Sequence, residues 1–65
     1  VKIENIDMSV RLYHQLHLNG IVNIDNLGSL SKEDVIMWRN FGRQCLWELL
    51  EIMKRYNVSF NDGVN

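Results

Sequence analysis

The stretch Met37-Trp38-Arg39-Asn40-Phe41-Gly42-Arg43-Gln44-Cys45-Leu46 constrains this protein more than any other. A short apolar segment ends in it, and the longest amphipathic pattern starts directly behind Gly42. Glycine takes backbone angles closed to other residues and lets another backbone come close. The amides of Arg43, Gln44 and Cys45 are then the unpaired donors of a helix start, a place that favours an anion. Arg39 and Asn40 supply polar side chains beside them. Two readings stand at this point: a phosphate-gripping hairpin between two helices, or an ordinary turn glycine.

Behind the hairpin, Leu46, Leu49, Leu50 and Met53 recur at helical spacing and predict a helix from about Arg43 to Tyr56. Glu51 and Arg55 form an i,i+4 pair on its outer side. Ahead of it, Ser31-Lys32-Glu33-Asp34 reads as a capping box, followed by Val35 and Ile36 as the apolar side of a short helix. Asn23 caps a single turn in which Ile24 and Leu27 point inward, and Gly28 ends it. Nearer the start, either Asp7 or Ser9 caps a helix with Val10, Tyr13, Leu16 and Ile21 on its inner face. Arg11, His14, Gln15 and Leu18 then lie along another face, and Asn19-Gly20 stops the helix. Residues 1–8 read as an extended arm that lays Ile3 or Ile6 on the core. The tail turns at Asn57, buries Val58 or Phe60, and frays over residues 61–65.

With no strand pattern and no proline, the predicted fold is all-α. It is a compact bundle of four to five short helices around a helix–hairpin–helix-like element. Sixty-five residues allow one domain, spanning 1–65, and an apolar fraction of 46% suffices for one core. A net charge of −1 argues against charge-driven, generic binding to nucleic acid, so any such activity rests on a local patch. The single cysteine, Cys45, rules out an internal disulfide and fits a reducing compartment. No run approaches membrane-spanning length, and no leader is present.

The segments Ile6-Asp7-Met8-Ser9-Val10-Arg11 and Asn40-Phe41-Gly42-Arg43 stand at the two ends of a familiar order. Leu16, Ile21, Ile24, Leu27 and the Ser31 cap lie between them. Together they resemble the C-terminal domain of the bacterial RNA polymerase alpha subunit. That family begins roughly (L/I)-x-(L/M)-(S/T)-V-R and carries a hairpin N-L-G-(K/R)-K-S-L-x-E, against N-F-G-R-Q-C-L-W-E here. The resemblance covers about Ile3 to Phe60.

The resemblance implies a non-catalytic, cytoplasmic, DNA-binding transcription domain without cofactor or metal. Such domains contact A·T-rich upstream promoter DNA across the minor groove, along with sigma factor, activators and other polymerase subunits. A narrow A·T minor groove concentrates negative potential and draws in arginine. Arg11 matches the groove arginine. Asn40, Gly42 and Arg43 match the phosphate-gripping hairpin, and Glu48 matches a glutamate that orients its neighbours. Asp7 falls where the family meets sigma factor, and Glu33 and Asp34 where it meets activators.

Departures from the pattern remove positive charge. His14 replaces a groove asparagine, Gln44 a phosphate-binding lysine, Cys45 a serine, and His17 a common lysine. If His14 faces phosphate, its protonation strengthens binding as pH falls. His14 and His17 lack partners at ligand spacing for a metal. No base accompanies Cys45, which reads as a structural or DNA-facing thiol. Leu12 and Trp47 stand where the family has small polar side chains; exposed, they form a partner or self-association surface. The rival reading is therefore a protein-interaction module on the same scaffold, with DNA affinity weakened or lost.

Overall fold

The computed structural model describes residues 1–61. Three α-helices, α1 (Val10–Leu18), α2 (Lys32–Ile36) and α3 (Arg43–Arg55), are joined with two 3-10 segments, Ile3–Asn5 and Ile24–Ser29. The expected all-α fold is the observed one. Among the described residues the only β pairing is an isolated antiparallel bridge between Lys2 and Asn23.

Capping chemistry sets most of the boundaries. The Ser9 hydroxyl accepts from the Leu12 amide at 3.2 Å and starts α1. Of the two caps that the sequence allows, the backbone selects Ser9. Asn23 and Asn26 form a reciprocal box on the second 3-10 segment, and Ser31 and Asp34 form another on α2. Each box satisfies first-turn amides that would otherwise lack partners. Helix α1 closes with Gly20 at φ 78°, its amide donating to the His17 carbonyl and that of Ile21 to Leu16. Helix α3 closes in the same way, with Asn57 at φ 59° donating to Lys54 and Val58 to Met53. In both, a left-handed residue turns the backbone so that the next apolar side chain rejoins the core.

The core comprises Ile3, Ile6, Leu12, Leu16, Ile21, Ile24, Leu27, Val35, Cys45, Leu49, Ile52, Met53 and Phe60. Burying each large aliphatic side chain contributes about 1.5–3 kcal/mol. The arm is not simply extended. It forms a 3-10 turn, pairs the Ile3 amide with the Val22 carbonyl at 2.9 Å, and buries both Ile3 and Ile6. The tail buries Phe60 and half-buries Val58. Asn61 is tied down, its amide donating to Leu30 and its side chain to Ser29. The rest of the expected frayed end, residues 62–65, lies outside the described residues.

Helix register corrects several expectations. On α1 the buried side chains are Leu12, Gln15 and Leu16, whereas Val10 is 84% exposed and Tyr13 also faces out. A nine-residue helix offers two incomplete apolar stripes, and docking against α3 selects the one through Leu12. Leu12, at 0% exposure, is thereby removed from any contact surface. On α2, Val35 is buried and Ile36 exposed. Adjacent residues sit about 100° apart on a helix, so a single turn buries only one. On α3 the inner stripe runs through Cys45, Leu49, Ile52 and Met53, leaving Leu46 and Leu50 half-buried. No ion pair joins Glu51 to Arg55 among the described residues.

The hairpin between α2 and α3 also differs in detail. Gly42 has an ordinary extended conformation, φ −88° and ψ 174°, and forms the N-terminal cap of α3. The left-handed residue is Asn40, at φ 61°. It occupies the third position of a turn closed by the Phe41 amide on the Trp38 carbonyl at 3.2 Å. Asparagine tolerates this region because its short polar side chain bonds locally. Trp38 and Phe41 pack edge to face, ring centroids 5.4 Å apart, and anchor the turn on the core.

One side chain ties the helices together across the sequence. Glu48, on α3, accepts from the Ser9 amide at 2.7 Å through one oxygen and from the Ser9 hydroxyl at 2.6 Å through the other. We expect Glu48→Ala to destabilise the fold by about 1–3 kcal/mol, with Glu48→Gln costing less, in urea denaturation. Asn40→Val should cost about 1–2 kcal/mol, because a β-branched residue resists positive φ, while Asn40→Gly should be nearly neutral. Equal midpoints for the valine and glycine variants would contradict the strain argument.

Candidate nucleic-acid interface

The first turn of α1 and the first turn of α3 meet in one shallow cleft of about 290 Å³, lined by Ser9, Arg11, Gln44, Cys45 and Glu48. Ser9 and Glu48 spend their polar atoms on each other. No ion pair joins Glu48 to Arg11 among the described residues, so the exposed guanidinium stays available at the rim. Holding α1 by its cap residue, two positions before Arg11, fixes where that arginine leaves the helix.

The α3 end of the cleft differs from the starts of the other two α-helices. Side chains cap α1, α2 and the second 3-10 segment, whereas Gly42 offers α3 none. The first turn carries no acidic residue, and the first intrahelical bond runs from the Leu46 amide to the Gly42 carbonyl at 3.1 Å. The amides of Arg43, Gln44 and Cys45 therefore retain the partial positive charge of a helix N-terminus. A Cβ added at Gly42 would meet nothing within 4 Å, so the backbone is open to close approach from outside.

The remaining candidates are distributed as follows. Asn40 is exposed on the turn, and its carbonyl accepts from Gln15 Nε2 at 3.4 Å. Helical spacing puts Gln15 on an outer face. It is in fact buried and links α1 to the hairpin, a role for which the periodic pattern carries no signal. Arg43, Gln44 and His14 are exposed. The Cys45 side chain is in the core, which withdraws the thiol from the surface and leaves only its amide at the helix start. Asp7 is exposed ahead of α1. Glu33 and Asp34 lie in the first turn of α2, where the Asp34 carboxylate accepts from the Ser31 amide at 3.0 Å. Trp47 is 70% exposed on α3. His17 stacks on Tyr13 along the outer side of α1, centroids 6.1 Å apart. No group of ligating side chains that could hold a metal occurs among the described residues. No described helix is long and apolar enough to cross a membrane.

Comparison with known proteins bears on this arrangement. Residues 1–55 match the family model for the C-terminal domain of the bacterial RNA polymerase alpha chain. The DNA-directed RNA polymerase subunit alpha of Porphyromonas gingivalis is 39% identical over 64 residues, covering 98% of the present sequence and 19% of that protein. That of Chlorobaculum tepidum is 37% identical over 59 residues, 91% of the present sequence and 18% of the relative. A third, from Aster yellows witches'-broom phytoplasma, is 36% identical over 62 residues, 95% and 19% respectively. The sequence thus spans about a fifth of the length of the curated relatives it matches. With its helical fold and a family match that takes in both the Arg11 segment and the hairpin, this protein belongs to the family formed by the C-terminal domains of bacterial RNA polymerase alpha subunits.

Proposed function

We propose that this domain binds A·T-rich double-stranded DNA in the service of transcription. Arg11 enters the minor groove, and the start of α3 rests on the adjacent phosphates. The observation that carries this reading is the shared cleft: an arginine without an ion pair among the described residues and an uncapped helix N-terminus are presented side by side. Arginine suits the narrow A·T groove, whose negative potential is deepest there. The amides of residues 43–45, with Asn40 and Arg43, fix register on the backbone without reading bases. Gly42 lets a phosphate reach those amides.

The mechanism is positional and assigns the domain no reaction. Gln44 brings no charge to the phosphate side, so affinity rests on Arg11, Arg43 and the amides and is weak for one domain. Attachment to a larger polymerase assembly raises it through effective concentration. Asp7 is a candidate contact for sigma factor, and Glu33 and Asp34 for activators; their exposure is compatible with both roles. His14 lies one turn beyond Arg11, exposed on α1, and is a further candidate contact to the DNA.

The rival is a domain that acts through protein contacts alone. It draws its support from the exposure of Trp47.

Titration of an A·T-rich duplex at low salt tests the DNA reading. Arg11→Ala should weaken binding by about 1–3 kcal/mol, roughly fivefold to 150-fold. Equal affinity of wild type and Arg11→Ala would reject the groove assignment. Gly42→Ala should leave the fold within about 1 kcal/mol of wild type yet reduce affinity, because the new methyl group occupies the phosphate's path.

A further inference from the structure

The C-terminal end of α3 carries surface that the DNA reading leaves unused. A groove of about 430 Å³ runs along the last turns of the helix and the segment behind it. Half-buried Leu50 and Val58 and buried Met53 form its floor, and exposed Lys54 and Asn57 stand at its rim. Trp47, 70% exposed, lies three residues before Leu50, which lies four before Lys54. That spacing puts all three on one face of the helix and continues the apolar floor onto the tryptophan. Contiguous apolar surface of this kind marks an interaction site. Lys54 is ten residues beyond Gln44, about 15 Å along the axis, so the groove is clear of the proposed DNA contacts.

Charge and backbone say what covers it. Lys54 is the only charged side chain lining the groove, and it makes no ion pair or side-chain hydrogen bond among the described residues. A lone cation at the end of an apolar stripe is complementary to an apolar segment that carries a carboxylate at one end. The backbone settles the form of that segment. The amides of Tyr56, Asn57 and Val58 are spent on the carbonyls of Ile52, Lys54 and Met53, at 3.1, 3.2 and 2.8 Å. An extended partner would find no backbone donors on this wall and would leave its own groups unpaired. A helix satisfies its own backbone and needs only side-chain contact.

We propose that the groove takes an amphipathic helix of a different protein. Its apolar stripe lies on Trp47, Leu50 and Val58, and an acidic residue at its end meets Lys54. Trp47 and Lys54 are seven residues apart, about 10 Å along the axis, so about two turns of the partner span the contact. Two turns bury less than the roughly 800 Å² per partner of a stable interface, so the complex is weak and exchanges rapidly. The proposal does not rest on DNA binding and is tested without DNA.

Two synthetic helical peptides serve as probes, each with leucine at positions i, i+3 and i+7. They differ only in a glutamate or a lysine one turn beyond the last leucine. Each is titrated into the isotope-labelled 65-residue protein and followed by nuclear magnetic resonance. The glutamate peptide should shift the amides of Trp47, Leu50, Lys54 and Val58 with a Kd below about 1 mM. The lysine peptide should bind at least about threefold more weakly, and Lys54→Glu should reverse that order. Trp47→Ala should weaken the glutamate peptide about tenfold or more. Both replaced side chains are exposed, so helical circular dichroism should be unchanged in both variants. No shifts at about 1 mM peptide, shifts confined to other residues, or an unchanged peptide preference in Lys54→Glu overturns the proposal. Movement of the same amides when the protein is concentrated without peptide gives the groove to a second copy, and overturns it as well.

Discussion

The carboxylate of Glu48 on the Ser9 cap is the contact on which the arrangement turns. It joins the first turn of the first helix to the second turn of the last, 39 residues apart. Ser9 is doubly employed, since its hydroxyl also accepts from the Leu12 amide. One carboxylate therefore completes a helix cap and sets the position of that helix against its neighbour. Because Arg11 is two residues beyond the cap and Gln44 is one turn before Glu48, the same contact brings the proposed groove arginine beside the proposed phosphate seat. Position, cap and site share a single polar pair.

Around that pair, the domain is assembled from elements too short to persist alone. Helices of five and nine residues gain little from propagation, so tertiary burial and end capping hold them. The reciprocal boxes at Asn23 and Ser31, and the left-handed closures at Gly20 and Asn57, each satisfy backbone groups at an element boundary. Among the three α-helices, α3 is the exception at its start, where a bare glycine leaves the amides open. An external anion is the group that would complete it, which is why the functional reading centres there. The uncharged Gln44 in that turn makes the amides and two arginines carry what charge the site has.

Much of this is legible in the sequence itself. Caps and stops are local chemistry: a serine followed by an aspartate three residues on, or Asn-Gly after an apolar pattern, specifies a boundary within a few bonds. Those signals locate α1, α2, the second 3-10 segment and the start of α3. The juxtaposition of Arg11 with the first turn of α3 follows from the resemblance of the two segments to one family, not from periodicity. Helix faces are harder. Val10-Tyr13 and Leu12-Leu16 are equally good apolar stripes on nine residues, and the sequence alone does not say which one α3 will cover. The same ambiguity displaces the inner stripe of α3 toward Cys45 and Ile52. It also hides Gln15, whose burial depends on the carbonyl of Asn40 being within reach.

What the sequence by itself determined is the helical class, the positions of caps and turns, and the family. Each depends on residues close together along the backbone or on motifs readable in order. What only the tertiary structure decided is which side chains face inward, which residue of the hairpin carries the left-handed turn, and which polar atoms remain unspent. Cys45 belongs to the core, Leu12 leaves the surface, and Trp47 stays on it. Those outcomes follow from docking between elements distant in sequence, where burial and hydrogen bonding are satisfied jointly.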